Sequence, residues 1–277
     1  MSNKTIQDVE AFWEMNPLWT GESSNKPGSK DFFEEHRSTY IDDCFAGRFD
    51  ERIIPKELSC NKVLDLGCGI GFWLIELATR VNGELVGADL TNHALCLSKK
   101  RCEIYSVKAD FSKQNAESMT FDSEMFSHVN CQGVIHHTPN THNTIQEIHR
   151  VLQKNGTASI SVYYKNIFLR LWPVFRPIAK LISLAGGGLK GRGRENIYSV
   201  KEINEIVRIY DGKENPIGKA YSKKEFLSML KPYFQIEETF VHFFPARSLP
   251  FKIPRGLHRF LDRHFGFMIY ANLRKIK

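Results

Sequence analysis

No C-x-x-C pair occurs among the six cysteines, Cys44, Cys60, Cys68, Cys96, Cys102 and Cys131, and none stands beside histidines at zinc-ligand spacing. That pattern excludes a zinc ribbon, a dithiol redox motif and a stapled secreted scaffold. It leaves reduced, mostly buried thiols, and no metal site is expected. The chain also lacks any run of about 18 apolar residues, and its start through Glu10 has no basic-then-apolar pattern. Neither a spanning helix nor a signal peptide is read, so the expected location is the cytoplasm, with a peripheral position on the inner membrane face kept open. With 42% hydrophobic and 25% charged residues in 277, wholesale disorder and fibrous repeats are excluded, and one large domain or a domain with a sizeable appendage is expected.

Acidic residues are scarce in the second half. Residues 1–160 carry 16 Lys+Arg against 22 Asp+Glu, and residues 161–277 carry 22 against 9. Two stretches concentrate the excess. Residues 165–194 hold seven basic residues and no acid, mixed with Phe, Leu, Trp and Ile, and residues 239–277 hold eight against the single acid Asp262. The two halves are expected to meet different partners.

Hydrophobic periodicity divides the chain into four parts. Residues 1–59 read as an N-terminal helical cover, with helices over 6–15 and 32–45 flanking a Gly/Ser/Pro stretch. Residues 60–164 alternate short apolar runs with helical segments, the runs being 62–66, 85–88, 104–109, 126–130 and 157–163. Repeated βα units of this kind imply a parallel sheet with helices on both faces. Residues 165–232 read as a helical, basic insertion that caps the acceptor site: a helix, a mobile loop around Gly186-Gly187-Gly188, and helices over 201–210 and 222–230. Residues 233–277 supply final strands over 234–244 and 267–272. The expected fold is a doubly wound, mostly parallel, seven-stranded Rossmann-like sheet with an antiparallel last strand.

The most informative stretch is Val63-Leu64-Asp65-Leu66-Gly67-Cys68-Gly69-Ile70-Gly71-Phe72. An apolar strand runs into a glycine-rich turn and then a helix, which lets a ligand approach the backbone without Cβ obstruction. The dinucleotide fingerprint G-x-G-x-x-G is not met, because Phe72 stands where its third glycine belongs, so a nicotinamide cofactor is disfavoured. Asp89 ends the next apolar run, 22 positions after Gly67, where a carboxylate can accept hydrogen bonds from ribose hydroxyls. Together these select an adenosine without a pyrophosphate.

These residues resemble the class I S-adenosylmethionine-dependent methyltransferases. The resemblance covers roughly residues 62–163 and rests on D-L-G-C-G-x-G with its strand-end acid, on Ala109-Asp110-Phe111, on Gln132-Gly133-Val134-Ile135-His136-His137-Thr138-Pro139, and on the segment 147–156. It implies S-adenosylmethionine as cofactor and S-adenosylhomocysteine as product. It further implies that Asp65, Gly67, Cys68, Gly69 and Gly71 hold the methionine end, Asp89 and Leu90 the ribose, and Asp110 with Phe111 the adenine. Cys131 and Gln132 would lie beside the amino acid moiety. In such enzymes the acceptor attacks the methyl carbon in line, and the protein chiefly aligns the partners and excludes water.

His136 and His137 are the candidate catalytic residues, since an imidazole can take a proton from an acceptor hydroxyl near neutral pH. Adjacent side chains point differently, so one of the pair is expected to face the pocket; the alternative is that both shape the loop. Trp19, Tyr40, Tyr163, Tyr210 and Tyr221 are candidate acceptor-site residues. No Asn/Asp-Pro-Pro-Tyr/Phe follows the fourth strand, and no Pro-Cys suggests attack on cytosine C5. What remains is methyl transfer to oxygen, nitrogen, sulfur or an activated carbon of a small acceptor, anionic or amphiphilic. Two alternatives stay open: a membrane-associated enzyme acting on a quinone or lipid precursor through residues 165–194, and an RNA methyltransferase using the basic half, the latter less favoured because those segments are too apolar.

Overall fold

A computed structural model of the chain describes residues 4–54, 62–189 and 191–276. Cys60 and the expected boundary between residues 59 and 60 lie outside the described residues. Helix α1 (Ile6–Met15) opens on a reciprocal capping box between Thr5 and Asp8, and α2 (Lys30–Phe45) on the Ser29 hydroxyl. The strands follow as β1 (Lys62–Leu66), β2 (Glu84–Asp89), β3 (Asp110–Lys113), β4 (Phe126–Gln132) and β5 (Leu152–Tyr164). Helices α3 (Phe72–Ala78), α4 (Asn92–Ile104) and α5 (Thr141–Val151) alternate with them. Beyond β5 come α6 (Ile167–Arg170), α7 (Trp172–Leu184), α8 (Ile203–Tyr210), β6 (Ala220–Tyr221) and α9 (Lys223–Leu230). The chain then forms β7 (Phe234–His242), α10 (Arg255–Phe265) and β8 (Met268–Lys275).

The sheet has eight strands in the order β3-β2-β1-β4-β5-β8-β7, with β6 paired to β5 off that path. Strands β1 to β5 run parallel, and β8 is antiparallel to both β5 and β7. The order reverses between β1 and β4, which opens a crevice at the carboxyl ends of those strands. Both faces are covered, so β1 is apolar on successive residues: Val63 joins one buried cluster with Phe72, Trp73 and Tyr270, and Leu64 joins another with Val129, Ile145 and Ile160.

Three readings of the sequence need correction. The expected strand over 104–109 is not one: α4 continues to Ile104, Ser106 takes a left-handed φ of 55°, and the Val107 amide closes the helix end on the Cys102 carbonyl. The short apolar run there serves a helix terminus, and β3 begins only at Asp110. The sheet gains an eighth strand, because residues 220–221 pair parallel to the end of β5. The C-terminal part holds α10 between its strands, where only strands were expected. Asp262 of α10 explains its docking: one oxygen accepts from the Phe243 amide at 2.7 Å and the other meets His242 Nδ1 at 2.5 Å, while His242 Nε2 lies 2.9 Å from Asp50. Burial opposes a charge on His242, but the two carboxylates outweigh it and hold its pKa above the ordinary value.

The N-terminal helices lie over the crevice because of specific anchors. Glu14 of α1 accepts from the Asn92 and His93 amides at 2.8 and 3.1 Å, placing a carboxylate at the positive end of α4. Phe32 and Phe33 of α2 are fully buried, and the Arg101 guanidinium of α4 donates to the Phe33 carbonyl. The cover is thus fixed to α4, the helix that follows β2.

Candidate functional site

A single cavity runs from the carboxyl ends of β1, β2 and β4 up to the N-terminal helices and the segment after α7. Its floor includes Gly67, Cys68, Gly69, Asp89, Leu90 and Gln132; its upper wall includes Trp19, Tyr40, Tyr163, Tyr210, Arg192 and Arg247. His136 and His137 lie between the two regions.

The glycine turn has the expected shape with a different hydrogen-bonding role. Gly67, Gly69 and Gly71 have φ of 70°, 51° and 79°, a region that side chains rarely adopt. A Cβ at Gly67 would sit 2.3 Å from Val134, whereas one at Gly69 would meet nothing within 4 Å, so the hollow lies over Gly69. The amides of Gly67 and Cys68 both donate to the Ala88 carbonyl, Gly71 donates to Cys68, and Gly69 donates to Asp89 Oδ2 at 2.9 Å. The turn therefore offers bare backbone surface, not a nest of unspent N–H donors. Gly71 itself caps α3 against Ser98 and does not line the cavity.

Asp89 lines the cavity with its carboxylate clamped from below. Oδ2 accepts from Gly69, and Oδ1 from the Thr91 amide and hydroxyl at 3.0 and 2.9 Å. A carboxylate has about four acceptor positions, so room for a ribose hydroxyl persists on a group whose orientation is already fixed. Burial raises its pKa above the usual carboxylate range despite those donors.

Beneath the cavity runs a buried ladder of polar side chains on one face of the sheet. Asn130 donates to Asp65 Oδ1 at 2.8 Å, Gln132 donates to Asn130 Oδ1 and to Ser159, and Ser159 donates to Asn272. Register explains the chain of contacts, since Asp65 pairs with Asn130, Asn130 with Ser159 and Ser159 with Asn272. Two acceptors in it have no donor: Asp65 Oδ2 and the Gln132 amide oxygen. Asp65 is 1% exposed, and burial pushes its carboxyl up to about 7, reinforced by the nearby Asp89 charge. Buried acceptors without donors cost stability, and a ligand ammonium is the group that would satisfy them.

The two histidines differ. His137 Nδ1 donates to the Ile217 carbonyl at 2.7 Å, and its Nε2 lies 3.3 Å from Asp211 Oδ2, which also accepts from the Tyr163 hydroxyl at 2.9 Å. The His136 ring packs at a tilt against Tyr163, centroids 4.4 Å apart, its Nδ1 has no partner, and burial holds its pKa well below the ordinary value. It is a neutral imidazole with an unspent nitrogen at the cavity. Lys219 fixes the loop that carries both, donating to the Thr138 and Pro139 carbonyls at 2.8 and 2.9 Å.

Several expectations about individual residues change. Asp110 and Phe111 begin β3, so they sit away from the strand's carboxyl end and border a separate shallow depression with Lys99 and Glu103. The residues that follow β3 at the cavity are Gln114, Asn115 and Ala116. The error descends from the misplaced third strand. Cys131 points to the opposite face of the sheet, among Val129 and Ile160, and Asp65 lies under the turn and does not line the cavity. Tyr221 hydrogen-bonds Thr141 outside the cavity, whereas Trp19, Tyr40, Tyr163 and Tyr210 all line it.

Sequence reasoning missed the cavity's charged wall. Arg192 and Arg194, read as part of an exposed basic stretch, have side chains only 5% and 2% exposed and face Glu22, at 3.8 and 2.9 Å. Arg247 joins them, 2.5 Å from Asp43, whose carboxyl burial raises to about 6 against the pull of that guanidinium. The Arg192 Nε has no partner. Alternating glycines in Gly191-Arg192-Gly193-Arg194 were the available signal, since left-handed φ of 79° and 73° at the glycines turns successive arginines inward.

The sheet order, the glycine turn and the strand-end acid resemble those of the class I S-adenosylmethionine-dependent methyltransferases. Residues 63–156 match the family model described as a methyltransferase domain. Over 131 residues the chain is 26% identical to the ubiquinone biosynthesis O-methyltransferase of Roseobacter denitrificans, covering 47% of this chain and 52% of that protein. It is also 26% identical over 137 residues to the demethylmenaquinone methyltransferase of Lactococcus lactis, covering 43% of this chain and 54% of that one. The chain thus spans about half the length of the curated relatives it matches. Among solved structures, a S-adenosylmethionine-dependent methyltransferase of Methanosarcina mazei superposes with a TM-score of 0.55 at 18% identity, over 82% of this chain and 96% of that one. A Pyrococcus horikoshii protein gives 0.55 at 16% identity over 96% and 99%. At such identities the likeness concerns the fold.

Proposed function

We propose that the chain transfers the methyl group of S-adenosylmethionine to a small, partly aromatic acceptor enclosed between the sheet and the N-terminal cover. The observation that carries this is the pairing, in one cavity, of an open hollow over Gly69 with the clamped Asp89 and with Gln132, whose amide oxygen has no donor; the donor-less Oδ2 of Asp65 lies beneath them in the same polar ladder. These residues fit the cofactor: the hollow admits a chain that a Cβ would block, Asp89 suits a ribose, and the orphaned acceptors suit an ammonium. Bound there, S-adenosylmethionine supplies an activated methyl group. The chain's own residues hold, orient and desolvate, and His136 is placed to accept a proton from an acceptor hydroxyl.

The upper wall supports an acceptor with a flat apolar body and a polar or anionic substituent. Trp19, Tyr40, Tyr163 and Phe243 supply ring surface, and the buried Arg192 lies over Trp13 with an unspent Nε. The relatives named for ubiquinone and menaquinone biosynthesis make a quinone precursor the first acceptor to try. Calorimetry with S-adenosylhomocysteine tests the cofactor half. Micromolar binding is expected, with Asp89→Ala weakening it by about a hundredfold, as expected for losing a charged hydrogen-bond acceptor; the absence of binding to the unaltered chain would end the reading. Labelled methyl incorporation from a cell extract then identifies the acceptor.

A further inference from the structure

Large apolar side chains face solvent along one side of α7 at helical spacing: Val174, Ile178 and Leu181 are 65%, 52% and 64% exposed, and Leu171 and Leu184 extend the row. Nothing in the described chain covers them. A second set, Phe251, Leu257 and Phe260, is exposed on α10 and the segment before it. The two sets belong to one surface. Phe168 of α6 packs at a tilt against Phe265 at 5.6 Å, Phe265 lies 6.1 Å from Phe260, and the Gly188 amide donates to the Ser248 carbonyl.

Arg255 of α10 is paired with Asp42, and the unpaired charges on α6, α7, α10 and the segment before α10 have one sign. Arg170, Lys180, Lys252, Arg259 and Arg263 are exposed, and none pairs with a carboxylate. The one acid of residues 239–277, Asp262, is 1% exposed and consumed by His242 and the Phe243 amide, so it does not offset the field outside. An apolar row flanked by unpaired cations matches an anionic bilayer surface, where the side chains enter the acyl boundary and the cations meet lipid phosphates. The same charge disfavours a second copy of the chain, because two such faces would repel. No described helix is long and apolar enough to cross a membrane, which leaves lying on the surface as the geometry.

We infer that the face formed by α6, α7 and α10 docks the protein on an anionic phospholipid surface. Arg192 and Arg194, which follow α7 in the chain, line the cavity wall, so the docked face and the cavity are neighbours in sequence. The basic stretch is thereby divided: Arg170 and Lys180 face outward, while Arg192 and Arg194 belong to the cavity. This inference does not rest on the methyl-transfer reading, because vesicle binding is measured without turnover.

The test is co-sedimentation of the full chain with vesicles of phosphatidylglycerol and phosphatidylcholine, against phosphatidylcholine alone. Retention on the anionic vesicles, weakened by salt, is expected. V174S/I178S/L181S should lower partitioning on the order of 100-fold, taking somewhat less than the full burial energy for each side chain. R170E/K180E should lower it about tenfold or more. All five positions are exposed, so the far-UV circular dichroism and the melting temperature should not change, and S-adenosylhomocysteine binding provides a separate check that each variant is folded. Three results would overturn the inference: no retention on anionic vesicles, equal retention by the apolar triple variant, or a dimer that the triple variant abolishes in a chain that ignores vesicles. Retention of RNA without retention on vesicles would likewise reject it.

Discussion

Replacing Asp65 with asparagine isolates a buried carboxyl whose ionisation costs the fold stability. Asp65 is fully enclosed, its Oδ1 is held by Asn130, and its Oδ2 has no donor. Burial moves its titration from 3.8 to about 7. A folded value above the unfolded one means that the neutral carboxyl stabilises the fold. That contribution is complete below about pH 3.8 and disappears as pH rises through about 7. Between pH 5 and pH 8 the unaltered chain should therefore lose roughly 2 to 3 kcal/mol of stability through this one group, at about 1.4 kcal/mol per tenfold change in proton affinity. Asp65→Asn cannot lose it. Urea denaturation of both proteins at the two pH values gives the double difference, and other titrating groups such as Asp43 cancel because both chains carry them. S-adenosylhomocysteine supplies the second reading. If its ammonium meets Asp65, affinity of the unaltered chain should climb about tenfold per pH unit below 7 and level off above it, while Asp65→Asn binds weakly and without that slope. A stability difference between the two proteins that is the same at pH 5 and pH 8 would refute this account of Asp65.

Two further predictions concern the turn and the histidines. Gly69→Ala should cost only the backbone penalty of about 1 to 2 kcal/mol, because its Cβ meets open space, yet it should abolish S-adenosylhomocysteine binding in calorimetry. Gly67→Ala should cost more stability, since its Cβ would meet Val134 at 2.3 Å; equal melting temperatures for the two variants would contradict the assigned geometry. His136→Asn should lower turnover on an oxygen acceptor by about a hundredfold or more while leaving S-adenosylhomocysteine affinity intact. His137→Asn should instead lower the melting temperature, because it releases both the Ile217 carbonyl and Asp211. Since burial keeps the His136 imidazole neutral, the unaltered enzyme's rate at saturating cofactor and acceptor should stay level between pH 6.5 and pH 8; a saturated rate that rises across that interval would remove His136 as the base.

The sequence was most readable where a local backbone requirement restricts residue type. Three left-handed positions within five residues demand glycine, and the acid that ends the following strand is clamped by that turn, so Gly67–Gly71 and Asp89 announce themselves. The third strand failed for the opposite reason. Ile104, Tyr105 and Val107 are apolar at a helix end and would be equally apolar in a strand, and only the hydrogen bond from Val107 to Cys102 tells them apart. That slip carried the expected cavity residues to Asp110 and Phe111, whereas Gln114 and Asn115 are the ones that line the cavity.

By itself the sequence determined the βα alternation, the glycine turn, the strand-end acid and the apolar, cationic character of the segment after β5, because each depends on neighbours in the chain. Tertiary structure alone decided which charges face solvent and which face the cavity, since Arg192 finds Glu22 some 170 positions away and Asp262 finds His242 across a strand and a helix. It also decided that Asp65, Asn130, Gln132 and Ser159 form one polar ladder, for that follows from the register of parallel strands joined by distant crossovers. Burial then sets what each group can do: the same imidazole that would titrate near neutrality in water is kept neutral at His136, and the same carboxyl that would be ionised is held near balance at Asp65.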